Sequence, residues 1–402
     1  MPTALLILPT ATYKASDFIE AAEQLDVDIV LASEEPPTLS EEFVLIDPSR
    51  PEWSAAQLEQ YAVERGVDAI IPVDDGGVLM ASLAASKLGL IHSAPHAVAT
   101  TRNKAMLRRA LAGRGVPQPS FAIIQGADDV EARCAEVGFP CVMKPLSLSG
   151  SRGVIRVDEA RQATDTAERI RRILASAGEN PNSPLLVEQY VSGDEIAWEG
   201  VLREGKLEEL AVFDKPDPAE GPYFEETIYT TPSRHHPEML LEARDIVAKA
   251  ADAVGLTEGP VHAELRIDGG RLWFLEMAAR SIGGLCGRAL RFGLIPTSLE
   301  FVLLRHALGL PVQTKRESVA SGVMMLPIPS AGVLSEVRGE EEALAVEGVT
   351  QLEITIPLGH RVVPLPEGDR YLGFLFAKGP GPADVERALR VGYSKLELVI
   401  GS

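Results

Sequence analysis

The chain has 402 residues, of which 46% are hydrophobic and 24% are charged. This balance is ordinary for a folded globular protein and excludes a disordered or fibrous chain. The length predicts about two to four packed units. The formal net charge of −20 disfavours binding to nucleic acid or to an anionic membrane surface. Any phosphate-bearing partner must therefore be held by local positive groups.

Cysteine use and the N-terminal sequence indicate the cellular compartment. The three cysteines, Cys134, Cys141 and Cys286, are odd in number and lack a metal-like spacing, which is typical of a reducing environment. The stretch Met1–Pro9 has no basic segment and too short an apolar run for a signal peptide, and no segment resembles a membrane span. We therefore expect a cytoplasmic protein with structural cysteines.

Strand and helix signals alternate over the first 95 residues, which predicts a doubly wound α/β domain. The strands are expected at 4–8, 27–32 and 69–72, and the helices at 16–25, 55–65 and 78–88. Residues 9–12 contain no glycine, so a dinucleotide-binding turn is not expected. Asp74-Asp75-Gly76-Gly77 follows a strand, where it is either a turn with a helix cap or an edge that faces a substrate.

The rest of the chain predicts two further α+β units. Residues 96–312 form one unit, with a smaller lobe at about 118–190 and a larger lobe at about 191–312, and residues 313–402 form a small α+β cap. Helices are expected at 101–114, 130–137, 160–177, 239–254, 298–308 and 383–391, and strands at 121–124, 141–144, 154–157, 185–187, 262–267 and 272–277.

Two segments of the smaller lobe have the composition of a nucleotide site. Lys144 ends an apolar strand and is followed by the Ser/Gly loop 147–153, whose backbone N–H groups can turn towards an anion, although hairpin turns of this composition are common. The loop matches neither a Walker A motif nor a kinase glycine loop. Glu188-Gln189-Tyr190-Val191 is either an extended adenine hinge, with Glu195 on the ribose, or a surface strand.

The hairpin 262–277 contains Glu264 and Glu276 in strands that are otherwise apolar. Buried acids need a partner. Because side chains alternate between faces, the two glutamates share a face only if the hairpin has an odd-length loop or a bulge, and a strict two-residue Gly269-Gly270 turn would separate them. On one face they would suit Mg²⁺. The alternative is two solvated acids with unrelated ion pairs.

Arg280 follows Glu276 by four residues, in a segment that continues to Gly283-Gly284. A guanidinium at the exit of this strand can hold a phosphoryl group in a bidentate manner. The two glycines allow the backbone to approach a substrate closely. A plain loop arginine is the alternative interpretation.

Taken in order, these segments resemble the signature set of the ATP-grasp superfamily over residues 96–312. Val261-His262-Ala263-Glu264 and Glu276-Met277-Ala278-Ala279-Arg280 are similar to the L-amino acid ligases that make dipeptides. The resemblance implies ATP-grasp architecture, with MgATP (or MnATP) phosphorylating a carboxylate that an amine then captures. It implies ATP contacts from Lys104, Lys144, Ser149, Gly150, Ser151, Gly153, Glu188, Gln189, Val191, Glu195 and Phe274. It further implies metal binding by Glu264 and Glu276, and a catalytic Arg280.

The resemblance has one departure and leaves alternatives open. Many ATP-grasp enzymes have Asn where this chain has Ala278, a form that the amino acid ligases share, so the number of bound metals is open. The acidic, Pro/Gly-marked segment 213–226 suits a substrate lid. The substrate candidates are Lys215, Glu225, Glu226, His262, Gly283 and Gly284. The partners expected are ATP and small carboxylate and amine substrates of the amino acid class, together with a second copy of the chain in a homodimer. Neither nucleic acid nor a membrane is expected as a partner. A biotin-dependent carboxylase, a purine-pathway ligase or a non-catalytic nucleotide sensor remain alternatives.

Overall fold

The computed structural model describes residues 1–8, 14–37, 42–126 and 128–401, so the glycine-free stretch 9–12 lies outside the described residues. The N-terminal strands form a parallel sheet in the order β3-β2-β1-β4. Leu5 and Leu6 of β1 are both fully buried, in apolar cores on opposite faces of the sheet. Helices cover both faces, which confirms the doubly wound prediction. The elements are β1 (Thr3–Ile7), α1 (Ala15–Gln24), β2 (Asp28–Ser33), β3 (Phe43–Leu45), α2 (Pro51–Arg65), β4 (Ala69–Pro72) and α3 (Asp75–Leu88).

The single helix predicted at 101–114 is wrong, because two helices, α4 (Pro95–Thr101) and α5 (Lys104–Leu111), occupy this region. Asn103 is extended between them, and its side chain accepts hydrogen bonds from the N–H groups of Ala105 (3.1 Å) and Met106 (3.0 Å). This is an N-cap, which satisfies donors that the first turn leaves unpaired. The break places Lys104 in the first turn of α5.

The smaller lobe is an antiparallel sheet in the order β5-β8-β6-β7 with two helices on one face. Met143 and Val187 point into the core under these helices, whereas Val142, Lys144 and Glu188 alternate with them and face the opposite side. The elements are β5 (Phe121–Ile124), α6 (Val130–Val137), β6 (Cys141–Pro145), β7 (Ile155–Val157), α7 (Ala163–Ser176) and β8 (Leu185–Gln189).

The larger lobe and the C-terminal region share an eight-stranded antiparallel sheet, in the order β13-β12-β9-β10-β11-β14-β18-β16. The larger lobe contributes β9 (Asp194–Arg203), β10 (Lys206–Lys215), β11 (Ile228–Thr231), α8 (Pro237–Val254), β12 (Gly259–Asp268), β13 (Arg271–Ala278) and α9 (Leu299–Ala307). The C-terminal region contributes β14 (Ala320–Leu326), β15 (Gly332–Arg338), α10 (Glu340–Leu344), β16 (Val349–Ile354), β17 (Arg361–Val362), β18 (Gly373–Gly379), α11 (Pro382–Tyr393) and β19 (Glu397–Gly401). A second, three-stranded sheet has the order β17-β15-β19. Within the described residues, no helix combines the length and apolar character that a membrane crossing requires.

The connection between the two lobes passes close to β12 at Gly193. Gly193 has φ +94°, and a Cβ built on it would lie 2.1 Å from the carbonyl oxygen of Ile267. Only glycine fits this approach, because the contact is with backbone that cannot move alone. Gly205, in the β9–β10 turn, has φ +74° and nothing within 4 Å of a built Cβ.

We expect Gly193→Ala to destabilise the protein more than Gly205→Ala. The Gly205 variant bears only the left-handed backbone strain, about 1–2 kcal/mol, whereas the Gly193 variant must also displace β12. Urea unfolding of both variants measures the difference in free energy. Equal losses would show that the tight approach at Gly193 does not constrain the fold.

Candidate active site

A cavity of about 570 Å³ lies between the two lobes. It collects residues from the N-terminal domain, both lobes and the C-terminal region. Of the predicted site residues, Gly153 and Phe274 do not line it. The predicted residues that do are Lys104, Lys144, Ser149, Gly150, Ser151, Glu188, Gln189, Val191, Glu195, Lys215, Glu225, Glu226, His262, Glu264, Glu276, Arg280, Gly283 and Gly284.

Glu264 and Glu276 are directly paired in the β12–β13 ladder and face the same cavity. The turn of this hairpin is the two-residue Gly269-Gly270, with Asp268 opposite Arg271. This turn alone would put the glutamates on opposite faces. The register shifts next to the pair, since Leu265 opposes Phe274 while Glu264 opposes Glu276, so Leu275 is the extra residue of a β-bulge. The bulge, one of the two possibilities that the sequence left open, brings the carboxylates together.

The same bulge corrects the prediction for Phe274. Before the bulge, β13 alternates so that Leu272 and Phe274 point into the core, and Phe274 is fully buried there. Leu275 instead lines the cavity. Phe274 therefore contributes no side chain to the predicted nucleotide site.

The paired glutamates fit a divalent cation. Burial raises the pKa of Glu264, and the charges of Glu226 and Glu276 add to this, against the opposing charge of Lys215. Two opposed carboxylates at a phosphate-sized cavity are the donor set that Mg²⁺ takes together with nucleotide oxygens and water. In the part of the chain that the structure describes, no three His, Cys, Asp or Glu side chains converge as a metal site.

Lys215 lies at the centre of an acidic cluster beside this pair. Its Nζ is 2.6 Å from Glu195, 2.7 Å from Glu264 and 3.1 Å from Glu226. Burial opposes the charge of Lys215, but the three carboxylates outweigh it and raise its pKa well above the usual value. Arg266 also binds Glu195, at 2.8 Å. The carboxylate of Glu195, predicted to accept ribose hydroxyls, thus has two cationic partners.

A buried ion triad lies at the predicted nucleotide end of the cavity. Glu188 binds Lys144 through one carboxylate oxygen and Arg108 through the other. Burial opposes the ionisation of Glu188, but the charges of Arg108 and then Lys144 prevail and lower its pKa to about 2. The side chain of Glu188 therefore holds the predicted phosphate lysine, and its backbone lies inside the sheet between Phe121 and Val142. Arg108 was not predicted, because nothing near it in sequence indicates its partners.

The hinge amides differ in their availability. Gln189 donates its N–H to Ser120 (2.9 Å) and Tyr190 donates to Pro140 (3.1 Å). No described residue accepts from the N–H of Val191, while the carbonyl of Val191 accepts from Arg266. Val191 is the hinge position that best offers a free donor to a purine edge.

The Ser/Gly loop is held from both ends. Lys104 donates from its Nζ to the carbonyl of Leu148 (2.7 Å), and the N–H of Gly153 donates to Pro366 of the C-terminal region (3.0 Å). The prediction that Gly153 contacts ATP is not supported, because Gly153 packs against Pro145 and its amide is used. Ser149, Gly150 and Ser151 remain on the cavity wall.

Arg280 is oriented by the N-terminal domain. Its Nε is 2.9 Å from Asp75, and burial, which lowers the pKa of Arg280, is outweighed by the charge of Asp75. Asp74 accepts the N–H of Gly76 (2.9 Å) and caps α3. Asp74 therefore forms the predicted cap, and Asp75 lies on the cavity wall, where contact with a substrate stays a prediction.

His262 is held by an acid that the sequence analysis overlooked. Glu199 binds the ring Nδ1 of His262 and also accepts the N–H of Ile282 (3.0 Å), which leads to the glycines 283–284. Burial lowers the pKa of His262, but Glu199 outweighs burial and raises that pKa to about 10. The signal that could have identified Glu199 is the presence of an acidic residue within the otherwise apolar segment 196–202.

The predicted lid closes over the cavity and is tied to the smaller lobe. Tyr223 forms a β-bridge with Ile155, and Arg156 donates to the carbonyl of Glu220 (2.8 Å). Glu226 accepts a hydrogen bond from Tyr371 of the C-terminal region (3.0 Å). Lys215, at the end of β10, belongs to the cluster described above. Glu225 is exposed and lines the cavity.

Comparisons with known proteins agree with this geometry. Residues 137–289 match the ATP-grasp domain, and residues 324–401 match L-amino acid ligase C-terminal domain 2. The chain is 27% identical to alanine–anticapsin ligase of Bacillus subtilis over 255 residues, covering 59% of this chain and 53% of that protein. It is 25% identical to human carnosine synthase 1, covering 92% of this chain and 48% of that protein. The chain thus spans about half the length of these relatives.

A solved structure gives the fold in full. The crystal structure of an L-amino acid ligase from Bacillus licheniformis superposes with a TM-score of 0.86 and 23% identity, covering 100% of this chain and 99% of that one. The chain has the ATP-grasp fold, and its two matched segments are similar to an ATP-grasp domain and to the C-terminal domain of the L-amino acid ligases.

The buried triad makes acid stability a test of this site. The pKa of Glu188 is lowered from 4.5 to about 2, so its ionisation contributes stability that is present above pH 4.5 and is lost as the pH falls through that window towards 2. From 1.36 kcal/mol per pKa unit, the contribution is on the order of 3 kcal/mol. We expect the stability difference between the wild type and Glu188→Gln to shrink from pH 6 to pH 3 in urea unfolding.

A matched variant controls for general acid effects. Glu238, whose side chain is 90% exposed at the start of α8, has no buried partner, so Glu238→Gln should differ little from the wild type at every pH. If the difference in free energy of unfolding between the wild type and Glu188→Gln stayed constant from pH 6 to pH 3, the ionised triad would be contradicted.

Proposed function

We propose that the chain is an ATP-dependent carboxylate–amine ligase that forms an amide or peptide bond between amino acid substrates and releases ADP and phosphate. One observation carries the proposal. Glu264 and Glu276 face each other in the same cavity as Lys144 and Arg280. Carboxylates, a phosphate lysine and a guanidinium in one enclosed space suit the transfer of a phosphoryl group.

The nucleotide would lie between the lobes. Its purine edge would meet the N–H of Val191, and the Ser/Gly loop 149–151 would cover the phosphates together with Lys104 and Lys144. Glu264 and Glu276 would hold Mg²⁺, which neutralises charge on the phosphate oxygens when it is bound. The acidic molecule as a whole repels a tetra-anionic nucleotide, so these local cations are needed for binding.

The chemistry would proceed in two displacements. A carboxylate oxygen of the first substrate attacks the γ-phosphorus, and the bond from that phosphorus to the ADP oxygen breaks. The amino group of the second substrate then attacks the acyl carbon, phosphate leaves, and the amine loses a proton. Arg280, oriented by Asp75, would bind the phosphoryl oxygens and the negative charge that develops on the acyl oxygen.

Two features support amino acids as substrates. Glu226 and Tyr371 line the cavity, where a carboxylate beside a hydroxyl can accept hydrogen bonds from an ammonium group. The names of the relatives give the same class of substrate. The lid 213–226 would exclude water, which otherwise hydrolyses an acyl phosphate. An ATP-dependent role is consistent with a cytoplasmic location, and the homodimer remains a prediction for light scattering.

The test is product analysis over pairs of amino acids. We expect ADP and phosphate to appear only with a productive pair, together with the dipeptide seen by mass spectrometry. Formation of AMP and pyrophosphate would replace this mechanism by adenylation. Turnover that needs bicarbonate and no amine would favour a carboxylase, and tight ATP binding without product would favour a sensor.

Glu276→Gln should remove Mg²⁺-dependent turnover while the protein stays folded. The amide keeps the size of the side chain but loses the negative charge that a divalent cation requires, so activity should fall at least about tenfold to a hundredfold. Glu238→Gln, with its exposed side chain, is the control and should keep full turnover. Wild-type rates in Glu276→Gln would remove the main support for the proposal.

The size of the amino acids that the cavity accepts should depend on the residue at position 283. A built Cβ at Gly283 meets nothing within 4 Å and Gly283 lines the cavity, whereas at Gly284 (φ +58°) it would lie 2.7 Å from the ring of Phe374. Gly283→Leu should therefore reduce turnover of large amino acids at least about tenfold, the scale of a few methylene groups in a pocket. Alanine and glycine serve as internal controls and should be retained. An equal loss with all substrates would contradict this placement.

A further inference from the structure

Arg108 is a buried arginine that touches three separate parts of the site without lining the cavity. Its side chain is 1% exposed. Its Nε binds Glu188 of β8, its Nη1 donates to the carbonyl of Phe274 (3.1 Å), and its Nη2 donates to the carbonyl of Leu275. One guanidinium thus joins α5, the smaller lobe and the edge strand of the larger lobe.

The two carbonyls belong to the β-bulge next to the metal-site pair. β13 is the edge strand of its sheet, and a bulge leaves backbone groups outside the ladder that need other partners when buried. Phe274 donates its N–H to Pro117 (2.8 Å), in the connection after α5. Arg108 and Pro117 together therefore satisfy the outer edge of the bulge, and the bulge decides the face on which Glu276 lies.

The third contact leads to the phosphates. Glu188 has one oxygen on Arg108 and the other on Lys144. Without Arg108, Glu188 loses the guanidinium that fixes its orientation, and Lys144 loses a fixed anchor. The fork geometry of arginine allows these separate bonds in one plane, which a lysine ammonium cannot reproduce over the same span.

We infer that Arg108 is a positioning residue that sets Lys144 and Glu276 relative to each other, and so couples nucleotide binding to the divalent cation. The inference rests on the proposed function only in using MgADP binding and ADP release as readouts. It goes beyond that function in naming a residue that acts through two others from outside the cavity.

The experiment compares Arg108→Met and Arg108→Lys with the wild type. It measures ADP affinity by calorimetry in EDTA and in Mg²⁺, the Mg²⁺ concentration for half-maximal ADP release, and the thermal midpoint. Arg108→Met should weaken ADP binding in EDTA and raise the half-maximal Mg²⁺ concentration, each at least about tenfold, the usual effect of losing a residue that orients a ligand.

Arg108→Lys separates the two contacts and remains informative if the methionine variant does not fold. A lysine can keep a charged hydrogen bond to Glu188 but cannot also bond both carbonyls of the bulge. ADP affinity in EDTA should therefore return to within about threefold of the wild type, since that charge-assisted bond is retained. The half-maximal Mg²⁺ concentration should stay raised about tenfold, as for other lost orienting contacts.

Arg288→Met is the matched control. Arg288 is a partly buried arginine that does not line the cavity. It donates two hydrogen bonds of 2.8 Å to Asp17 of α1. This variant should lower the thermal midpoint and leave the ADP affinity in EDTA and the half-maximal Mg²⁺ concentration unchanged.

The results distinguish the two proposals. Arg108 is merely structural, and the inference is overturned, if Arg108→Met lowers the thermal midpoint but leaves the ADP affinity in EDTA and the half-maximal Mg²⁺ concentration unchanged. The inference is also overturned if Arg108→Lys returns the half-maximal Mg²⁺ concentration to the wild-type value. If the wild type itself does not bind MgADP, the proposed function is overturned together with it.

Discussion

Two like charges face each other at the centre of the cavity because β13 holds one residue more than its partner strand. The Gly269-Gly270 turn and the regular alternation of β13 would send Glu276 into the apolar core beside Ala263. The extra residue, Leu275, reverses the alternation, so that Met277 takes the core position and Glu276 joins Glu264. A pair of opposed carboxylates is unfavourable without positive charge beside it. Lys215, whose Nζ is 2.7 Å from Glu264, supplies one ammonium, but this ammonium also binds Glu195 and Glu226. The pair therefore still favours a further cation.

Other buried charges around this pair are compensated before any ligand binds. Lys215 forms ion pairs with three acids, and Arg266 forms an ion pair with Glu195. Glu188 binds both Lys144 and Arg108. Buried ions are tolerated only when partners and hydrogen bonds replace the lost water. These pairs hold the side chains in fixed orientations, so binding does not have to organise them. Arg280 follows the same rule with Asp75, whose pKa is lowered by this guanidinium although burial opposes the shift.

Local patterns in the sequence were sufficient for much of the fold but not for the contacts that complete the site. Apolar runs and turn residues located strands such as 69–72 and 121–124 to the residue, because burial and turn chemistry act over a few neighbours. The backbone groups at the bulge of the hairpin, which sets the face of Glu276, are satisfied by Arg108 and Pro117, which lie more than 150 positions away. Long-range partners of this kind leave no periodic signal. The helix predicted through Asn103 failed for a local reason, since a capping side chain there competes with continuation of the helix.

The contacts that hold the two lobes together differ in strength between the floor and the rim of the cavity. At the floor, Arg108 and Glu188 are almost fully buried, and breaking such a pair leaves an uncompensated charge that costs several kcal/mol. At the rim, Arg169 binds Glu367 of the C-terminal region, but both side chains are more than a third exposed, and exposed ion pairs contribute only about 0–1 kcal/mol. The Arg169–Glu367 pair therefore contributes far less than the Arg108–Glu188 pair to holding the smaller lobe in place. The hinge and the glutamate pair are held relative to each other by the buried contacts of Arg108, which join the smaller lobe to the edge strand of the larger lobe.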